Sequence, residues 1–427
     1  MHISVIGSGY VGTTIAACFA DIGHEVTAID IDEEIVDTLN DGRAPISEPG
    51  LEELIEANIG GRLEATTSYD AVPQSDVTFL AIGTPSNDDG SIDLTALSAA
   101  AEATGEALAD KDERHLVVIK STVTPPSITD VLGPAVRNGA DGNDAVEVGM
   151  NPEFLREGSA VDDFQNPDKL VFGTNSEWAT ERLENVFEPL TDEDTAVVET
   201  DPQTASMIKY ANNAFLASKI SLVNDLGNIC KEFGLDAYEV MGAIGLDDRI
   251  SEQFLRSGVG WGGSCFPKDV DAIIAAAREE GYDPAVLEAA VEVNDRQPAR
   301  MLELLEGHVD LEGARIAVLG LSFKPRTDDI RNSRAIPMIE RLEDRGAEIV
   351  AYDPVAVEPM QERFPDVEYT ESAADALEGA DGSVIVTDWD EFATLDEEFN
   401  AMATPVVVDG RRIIQRREGI TYEGLTW

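Results

Sequence analysis

Short apolar runs alternate with amphipathic helix-forming stretches in two parts of this chain, and this alternation limits its fold more than any other feature. In the first part the runs are HISVIG, EVTAID, VTFLAIG, HLVVIKST and AVEVGMN. From Ala314 the alternation resumes with ARIAVLGLSF, EIVAYDP, GSVIVTDW and PVVVDGRR. Strands that alternate with helices form parallel sheets covered on both faces. We therefore predict two α/β domains with doubly wound parallel sheets, each with a nucleotide-sized crevice.

The segment between these two parts is predicted to be helical. From Asp201 to Gly234 apolar residues recur every three or four positions, and Gly234 is typical of a helix C-terminus. The glycine-rich run SGVGWGGSCFPKD interrupts the helical region, which extends to about Glu306. We expect three domains, at residues 1–198, 199–306 and 307–427, in which two Rossmann-like domains are joined by a central all-helical one.

The first strand leads directly into the glycine-rich segment Gly7-Ser8-Gly9-Tyr10-Val11-Gly12 at the start of a helix. The first glycine allows a tight turn, the second lets a pyrophosphate approach the backbone, and the third lets helix and strand pack closely. The second strand ends at Asp30, whose carboxylate suits a ribose diol and repels a 2′-phosphate. A glycine turn can also merely close a βα unit, but this context predicts dinucleotide binding, with NAD favoured over NADP. The residues concerned are Gly7, Gly9, Tyr10, Val11, Gly12 and Asp30.

Hydroxyl side chains follow two further strands, Thr84 in Gly-Thr-Pro and Thr122 in Lys-Ser-Thr. Ligands of an open parallel sheet bind beyond the carboxyl ends of its strands. Both hydroxyls are therefore candidates for contact with a cofactor or a substrate water. Each is also explained as a helix N-cap, and the pattern does not separate these alternatives.

Cys265 lies in the segment GWGGSCFPKD, immediately before a predicted helix. A helix N-terminus and a lysine three residues away both favour the thiolate, and the glycines leave room for a bulky ligand. We therefore predict a reactive thiol at Cys265. Cys18 and Cys230 lie on apolar helix faces and are predicted to be buried, unreactive side chains.

Two pairs of polar residues are candidates for chemistry because of their spacing. Lys209 and Asn213 are four residues apart in the long predicted helix, where an ammonium and a carboxamide on one face can stabilise an alkoxide. A solvated surface is the alternative, which is weakened because the chain has only 8 lysines. Glu153 and Glu157 share a face in the same way if Pro152 opens a helical turn, and they then hold a base or bind sugar hydroxyls. Acidic surface is the default interpretation of that second pair.

The charge balance excludes several classes of function. Asp and Glu total 84 against 30 Lys and Arg, a net charge of −54, and such a field repels nucleic-acid phosphates and anionic lipid. Because the acids interrupt regular apolar patterns and 43% of the residues are hydrophobic, we expect a folded rather than a disordered chain. Concentrated salt screens the repulsion, since the Debye length falls to about 3 Å at 1 M. We therefore predict a protein of a halophile.

Cysteine and histidine are too few, and too far apart in the sequence, to indicate a disulfide framework or a metal site. Three widely separated cysteines and four histidines predict neither a disulfide framework nor a metal site. The chain begins with the first predicted strand and lacks an apolar run of about 18 residues. We therefore expect no signal peptide, no membrane span and a cytoplasmic location.

In their order along the chain, these segments resemble the UDP-glucose/GDP-mannose dehydrogenase family, most closely its members that oxidise UDP-glucose. The resemblance covers nearly the whole chain and rests on GSGYVG, GTP, KSTV, NPEFLREG, KYANN, GWGGSCFPKD, FKPRTDDIRNS and DGRR. It implies an NAD-binding domain, a helical domain that forms a homodimer or a higher homo-oligomer, and a C-terminal domain that holds the nucleotide of a sugar nucleotide. It also implies oxidation of a primary alcohol to a carboxylate with two NAD and no release of the aldehyde.

The resemblance implies a role for each catalytic candidate. Cys265 is the nucleophile, and Lys209 and Asn213 contact the oxyanion and the sugar. Asp269 and a water near Thr122 handle protons.

The resemblance also implies binding contacts and a residue for hydrolysis. Glu153 assists hydrolysis of the thioester, and Arg249 reaches the substrate of the neighbouring subunit. The implied cofactor contacts outside the glycine loop are Thr84, Thr122, Glu157, Lys268 and Arg331. The implied substrate contacts are Glu153, Phe154, Leu155, Arg156, Glu157, Lys209, Asn213, Arg249, Phe254, Leu255, Arg256, Ser257, Gly258, Gly262, Lys324 and Arg411.

Other functions remain as alternatives. UDP-N-acetylmannosamine and GDP-mannose undergo the same chemistry as UDP-glucose, and the sequence does not identify the glycan pathway that uses the uronate. A two-electron hydroxyacid dehydrogenase accounts for the glycine loop, Lys209 and Asn213, but it leaves Cys265 and the last domain without a role. A non-catalytic nucleotide sensor requires loss of catalytic residues, whereas every matched position is intact. Chemistry at Cys265 therefore separates these interpretations.

The charge predicts a dependence on salt. In dilute buffer we expect loss of structure and activity, and we expect the melting temperature to rise as KCl approaches molar concentrations, because screening removes repulsion between carboxylates. Melting curves and activity at each KCl concentration measure this. Full stability and activity without added salt contradict the prediction.

Overall fold

The computed structural model describes residues 1–191 and 195–427, which pack as two compact units. The first unit contains Met1–Asn212 and Asp271–Ala276, and the second contains Asn213–Val270 and Ala277–Trp427. Within the described residues, none of the helices is long and apolar enough to cross a membrane. The division into three domains after residues 198 and 306 remains a prediction.

An eight-stranded sheet forms the centre of the first unit. Its strands are β1 (His2–Ile6), β2 (Glu25–Ile29), β3 (Leu63–Thr66), β4 (Val77–Leu80), β5 (His115–Ile119), β6 (Val146–Met150), β7 (Lys169–Gly173) and β8 (Ala196–Thr200), in the order β3-β2-β1-β4-β5-β6-β7-β8. The first six are parallel, and the five runs singled out in the sequence all form strands. The strand order reverses between β1 and β4, and ligands of open α/β sheets bind at such a point.

Helices cover this sheet. They are α1 (Tyr10–Asp21), α2 (Glu33–Asn40), α3 (Leu51–Asn58), α4 (Thr95–Leu108), α5 (Pro125–Ser127), α6 (Gly133–Gly139), α7 (Ala160–Gln165), α8 (Glu177–Phe187) and the first part of α9 (Pro202–Glu232). Short 3₁₀ segments lie at Tyr69–Gln74 and Glu188–Leu190, and a π-helical turn at Ile128–Leu132. Buried aromatic side chains join helix and sheet, with the rings of Phe19 and Phe79 5.0 Å apart. Cys18 is fully buried in this core, as predicted.

The last two strands of this sheet depart from the all-parallel arrangement predicted from the sequence. β7 meets β6 only at the pair Met150 and Gly173, in antiparallel orientation, and β8 is parallel to β7. Next to this pair, the side-chain amide of Asn151, the residue after β6, donates to the carbonyl of Val171 in β7.

The helical turn after Pro152, on which a shared face for Glu153 and Glu157 depended, is absent. Residues 151–156 form no regular structure, and α7 begins only at Ala160. The physical reason is a local hydrogen bond, because Glu153 Oε2 accepts the N–H of Leu155 at 2.6 Å. A carboxylate that binds the backbone two residues ahead competes with helix formation. Glu153 and Glu157 are therefore not one helical turn apart.

The second unit contains a six-stranded parallel sheet and the remaining helices. Its strands are β9 (Arg315–Leu319), β10 (Glu348–Tyr352), β11 (Glu368–Tyr369), β12 (Gly382–Ile385), β13 (Val406–Asp409) and β14 (Thr421–Gly424), in the order β11-β10-β9-β12-β13-β14. The helices are the rest of α9, α10 (Ala237–Gly245), α11 (Phe266–Glu279), α12 (Ala285–Glu306), α13 (Ala335–Glu343), α14 (Val357–Arg363) and α15 (Ala373–Leu377), with 3₁₀ segments at Phe392–Thr394 and Glu397–Ala401. Residues Asp271–Ala276 of α11 belong to the first unit.

The predicted end of α9 at Gly234 is confirmed. Gly234 has φ +67°, and its N–H donates to the carbonyl of Lys231. The N–H of Leu235 donates to the carbonyl of Cys230, which completes a Schellman motif. Cys230 is buried in the last turn, as predicted.

Candidate active site

The glycine loop after β1 has the geometry of a phosphate cradle. Gly7 has φ +93°, and a Cβ on Gly12 would lie 1.7 Å from the carbonyl oxygen of Gly7. Gly12 is therefore required for packing. Gly9 differs, because no atom of the described residues lies within 4 Å of the position of its Cβ. The open face at Gly9 and the free N–H groups at the start of α1 fit a pyrophosphate.

Asp30, the residue after β2, is joined to this loop. Its Oδ2 accepts the N–H of Ser8 at 2.5 Å, and its Oδ1 accepts the N–H of Asp32 at 3.0 Å. These bonds fix the carboxylate beside the glycine loop, where it can also accept hydroxyls of a ribose.

The ends of β4 and β5 are joined by the hydroxyl of Thr84, which donates to the carbonyl of Thr122 at 2.9 Å. Ser121 Oγ lies 2.7 Å from the carbonyl of Ile82, which strengthens the same connection. Neither threonine begins a helix, because the helices that follow are α4 from Thr95 and α5 from Pro125. The helix-cap alternative is thus removed, and the position at the switch point favours a ligand role.

The side chain of Tyr10 extends from the glycine loop to a buried carboxylate. Tyr10 Oη donates to Glu48, whose Oε2 and Oε1 also accept the N–H groups of Gly158 and Ala160, each at 2.7 Å. Glu48 therefore ties the glycine loop to the segment that carries Glu157.

Lys209 and Glu153 form a buried ion pair in the first unit. Their Nζ and Oε1 are 2.8 Å apart, and the two residues are 3% and 8% exposed. Burial opposes ionisation of Glu153, but the charge and hydrogen bond of Lys209, with the N–H of Leu155, outweigh it and lower the pKa of Glu153. The solvated-surface alternative for Lys209 is therefore wrong.

A second buried ammonium lies close to this pair. Lys120, the residue after β5, donates through Nζ to Asn151 Oδ1 at 2.7 Å and is 5% exposed. Burial lowers the pKa of Lys120 to about 7; Glu153 acts in the opposite direction and Lys209 adds to the lowering. Lys209 Nζ also lies 5.6 Å from the centre of the Phe154 ring.

Cys265 lies at the start of α11 in the second unit and is exposed. Its carbonyl accepts the N–H of Asp269, which closes the first turn of the helix. Its Sγ lies 3.5 Å from the hydroxyl of Ser264. The thiol therefore sits at the positive end of the helix dipole, where a thiolate is stabilised.

Asp269, one turn into α11, is buried and bound by two side chains. Its Oδ2 accepts Asn213 Nδ2 at 2.7 Å, and its Oδ1 accepts Lys268 Nζ at 2.6 Å. Residues of two separate motifs, Asn213 in one and Lys268 with Asp269 in the other, are thus brought together, and Asp269 is 2% exposed.

The glycines before Cys265 pack directly against the segment FKPRTDDIRNS. The N–H of Gly263 donates to the carbonyl of Arg331, and Asn332 Nδ2 donates to the carbonyl of Gly263. A Cβ on Gly262 would lie 2.1 Å from the carbonyl oxygen of Asn332, and one on Gly263 would lie 2.7 Å from the ring of Phe323. The segments GWGGSCFPKD and FKPRTDDIRNS are therefore in backbone contact.

In the loop at residues 254–258, hydrogen bonds hold the last two residues in place. Ser257 is 2% exposed, its carbonyl accepts Tyr238 Oη, and its hydroxyl lies 2.6 Å from that of Thr426. Leu255 is also buried, whereas Phe254 is 42% exposed and has φ +59°. The N–H of Gly258 donates to Asn224 Oδ1.

Several predicted contact residues have charged side chains at the surface of their own unit. Arg156 pairs with Asp163, Arg249 with Asp247, and Arg331 with Asp329. The other members of this group are Glu157, which is partly exposed, Arg256, which is exposed, Lys324, whose Nζ is 5.3 Å from the Phe323 ring, and Arg411, whose Nε donates to the carbonyl of Val386. Among the residues that the structure describes, no three or more His, Cys, Asp or Glu side chains are grouped to hold a metal.

Comparison with known proteins identifies the family. Residues 1–191 match its NAD binding domain, residues 203–296 its central domain and residues 317–416 its UDP binding domain. The chain belongs to the UDP-glucose/GDP-mannose dehydrogenase family. NAD is therefore the cofactor of its first domain, and the resemblance seen in the sequence is confirmed.

Similar proteins are known in sequence and in structure. UDP-glucose 6-dehydrogenase AglM of Haloferax volcanii is 61% identical, and the alignment covers 100% of both chains. The structure of a UDP-glucose dehydrogenase from Pyrobaculum islandicum has 41% identity and a TM-score of 0.94, and covers 100% of this chain and 98% of that one. The structure of a UDP-D-ManNAc dehydrogenase from Pyrococcus horikoshii has 27% identity and a TM-score of 0.87, with 100% and 99% covered.

Three residues that hold the predicted site residues in place were not predicted from the sequence, namely Lys120, Asn151 and Glu48. A signal for Lys120 existed, because the scarcity of lysine that singled out Lys209 applies equally to it. No comparable signal marks Glu48 among 84 acidic residues.

Two matched glycine substitutions separate cofactor binding from folding. Gly9→Ala should leave the melting temperature unchanged and raise the dissociation constant for NAD by at least about tenfold, because a methyl group meets only the ligand there. Gly12→Ala should destabilise the protein by about 3 kcal/mol, because its methyl group meets the carbonyl of Gly7. Thermal melts and NAD titrations measure both effects. Equal loss of stability in the two variants contradicts the assignment of Gly9 to the cofactor.

Proposed function

We propose that this protein oxidises UDP-glucose to UDP-glucuronate, with consumption of two NAD and one water. The observation that carries the proposal is the exposed thiol of Cys265 directly before α11 in a chain of this family. The other two cysteines are buried. A two-electron dehydrogenase does not need such a thiol, and the 61% identity to the Haloferax volcanii UDP-glucose 6-dehydrogenase supports UDP-glucose as substrate.

The first oxidation converts the C6 alcohol of the sugar into an aldehyde. NAD, when bound, accepts one hydride in each of the two oxidations. The hydroxyl proton leaves to Asp269 or to a water near Thr122. Asn213 and Lys268 keep the carboxylate of Asp269 in place, through bonds of 2.7 and 2.6 Å.

The second oxidation proceeds on the enzyme through Cys265. The thiolate adds to the aldehyde carbon, so that a C–S bond forms while the carbonyl π bond breaks, and the oxygen takes up a proton to give a thiohemiacetal. Loss of a second hydride and of the hydroxyl proton gives a thioester. Water then attacks the thioester carbon, the C–S bond breaks, and the carboxylate and the thiol are released.

Lys209 and Glu153, which form one ion pair, take part in different steps of this reaction. Lys209 stabilises the negative oxygen at each tetrahedral stage, where one well-placed donor is worth about 3–4 kcal/mol. Glu153 assists the attacking water. The distance of 2.8 Å between Lys209 Nζ and Glu153 Oε1 supports a role for both residues at the same carbon of the substrate.

The remaining predicted residues bind the two ligands. The glycine loop, Asp30, Thr84, Glu157, Lys268 and Arg331 contact NAD. Phe154, Leu155, Arg156, Phe254, Leu255, Arg256, Ser257, Gly258, Gly262, Lys324 and Arg411 contact the sugar nucleotide. UDP-N-acetylmannosamine is the second candidate substrate, which the similarity to the Pyrococcus horikoshii structure supports more weakly, at 27% identity.

We further propose a homodimer formed through α9, in the cytoplasm of a halophile. Phe215, Leu222 and Ile229 recur every seven residues on that helix and are 70%, 59% and 46% exposed. We call these three residues the α9 stripe. Exposed apolar side chains on one face of a strongly acidic protein indicate a contact surface. In the dimer, Arg249 reaches the partner's substrate.

The stoichiometry of the reaction tests the function. In molar KCl we expect two NADH per UDP-glucose consumed, with UDP-glucuronate as product, because the aldehyde stays on the enzyme until the second oxidation. Absorbance at the NADH band and mass spectrometry of the nucleotide measure this. One NADH per substrate overturns the four-electron mechanism.

Replacement of the nucleophile provides the matched variant. Cys265→Ser should lower turnover to UDP-glucuronate by at least about a thousandfold and leave NAD binding unchanged. Cys230→Ser, at a buried position, is the control and should retain activity. Wild-type turnover in Cys265→Ser refutes the thioester route.

A charge in the α9 stripe tests the dimer. Leu222→Glu should halve the molar mass measured by light scattering in molar KCl, because a buried unpaired carboxylate is costly at an interface. Val355→Glu, at a side chain 50% exposed in the same unit, is the control and should leave the mass unchanged. An unchanged mass in Leu222→Glu means that α9 does not form the interface.

A further inference from the structure

Lys120 is a buried cation to which the proposed mechanism gives no role. Its ammonium lies at the carboxyl end of β5. It donates to Asn151 Oδ1 at 2.7 Å, and it lies 5.7 Å from the centre of the Phe187 ring. Burial of an ammonium is costly unless nearby groups compensate it. A chain with 30 basic residues among 427 nevertheless keeps one of its 8 lysines there.

The charge of the neighbouring ion pair explains what this lysine contributes. Lys209 and Glu153 together carry no net charge, so the field of Lys209 at a developing oxyanion is partly cancelled by Glu153. A protonated Lys120 makes the group of three cationic. Glu153 and Lys209 are also the charged groups that act on the pKa of Lys120.

The backbone connects the same residues. Two hydrogen bonds hold Asn151 in place. Its backbone N–H donates to the carbonyl of Ile119, and its Nδ2 donates to the carbonyl of Val171. Its Oδ1 accepts the ammonium of Lys120, and Glu153 follows two residues later. Lys120 therefore holds in place the segment from which Glu153 reaches Lys209.

We propose that Lys120 is a positioning residue that makes the buried cluster with Lys209 and Glu153 cationic, so that the cluster favours negative charge at C6 of the sugar. The inference rests on the proposed function, because that function brings C6 to Lys209. Lys120 acts through Asn151 and through its charge on the other two groups.

The pH range of the effect follows from burial. Burial lowers the pKa of Lys120 to about 7, so the ammonium is present below that pH and is lost above it. A carboxylate at C6 should therefore bind more tightly at pH 6 than at pH 9, whereas an uncharged CH₂OH group should show no such change.

The test compares two nucleotide sugars that differ at C6. Dissociation constants of UDP-glucuronate and UDP-glucose are measured by calorimetry in molar KCl between pH 6 and 9. For the unmodified protein, the ratio of the first constant to the second should rise about tenfold across pH 7. In Lys120→Gln, which keeps a donor for Asn151, the ratio at pH 6 should already be raised about tenfold and should not change with pH.

Lys111→Gln is the matched control. Lys111 is a partly buried lysine of the same unit, whose Nζ donates to the carbonyl of Ser75 and contacts His115, and its replacement should leave the ratio unchanged. The proposal is overturned if Lys120→Gln folds and keeps the ratio and pH dependence of the unmodified protein, or if Lys111→Gln alters them equally.

Two further outcomes are decisive. If Lys120→Gln does not fold, a ratio that stays constant between pH 6 and 9 in the unmodified protein overturns the proposal, and the expected rise supports it. An unmodified protein that binds neither nucleotide sugar and forms no NADH refutes the proposed function itself, and this inference with it.

Discussion

The free energy required to remove a charge from water governs where this protein places its acids and bases. Glu153 is buried against Lys209, Asp269 against Asn213 and Lys268, and Glu48 against the hydroxyl of Tyr10 and two backbone N–H groups. Buried ion pairs add little to stability compared with apolar packing of the same volume. Their presence at the carboxyl edge of a parallel sheet and at the start of α11 therefore points to chemistry rather than to folding.

Close backbone contacts make these charge positions possible. Gly12 lets α1 approach β1, and Gly262 and Gly263 let the chain before Cys265 lie on residues 323–332. In both places a methyl group would overlap a backbone oxygen or an aromatic ring. The glycines therefore allow the close approach on which the positions of the neighbouring polar groups depend.

Salt weakens the interactions between charges at the surface far more than those between buried charges. Repulsion among the exposed carboxylates acts over many ångströms through water and is weakened by salt. The contacts of Glu153 and Asp269 act over less than 3 Å between buried side chains, where screening by salt is weak. Molar salt can therefore relieve the repulsion that opposes folding while the buried pairs keep their strength. The α9 stripe is apolar, and hydrophobic association through such a surface is likewise not weakened by screening in molar salt.

The sequence by itself determined the local structure. Hydrophobic periodicity identified the main strands of both sheets and the helix α9. Glycine positions identified the end of α9 at Gly234, the glycine loop and the setting of Cys265. Each of these features depends on residues that are close together in the chain. The edge strands β3 and β11 were not identified, because β3 has a single buried residue and β11 has only two residues. The family was also evident, since its motifs are contiguous segments.

Only the tertiary structure decided which charges meet. The chain after Pro152 is irregular, and Glu153 is paired with Lys209, 56 residues away, instead of sharing a helix face with Glu157. Asn151 and Lys120 are 31 residues apart, and Glu48 and Ala160 are 112 apart. The pair of Lys120 and Asn151 forms where the ends of β5 and β6 meet at one edge of the sheet, whereas the other two pairs join loops to helices. All three depend on strand order and on helix packing, which no local pattern of side chains encodes.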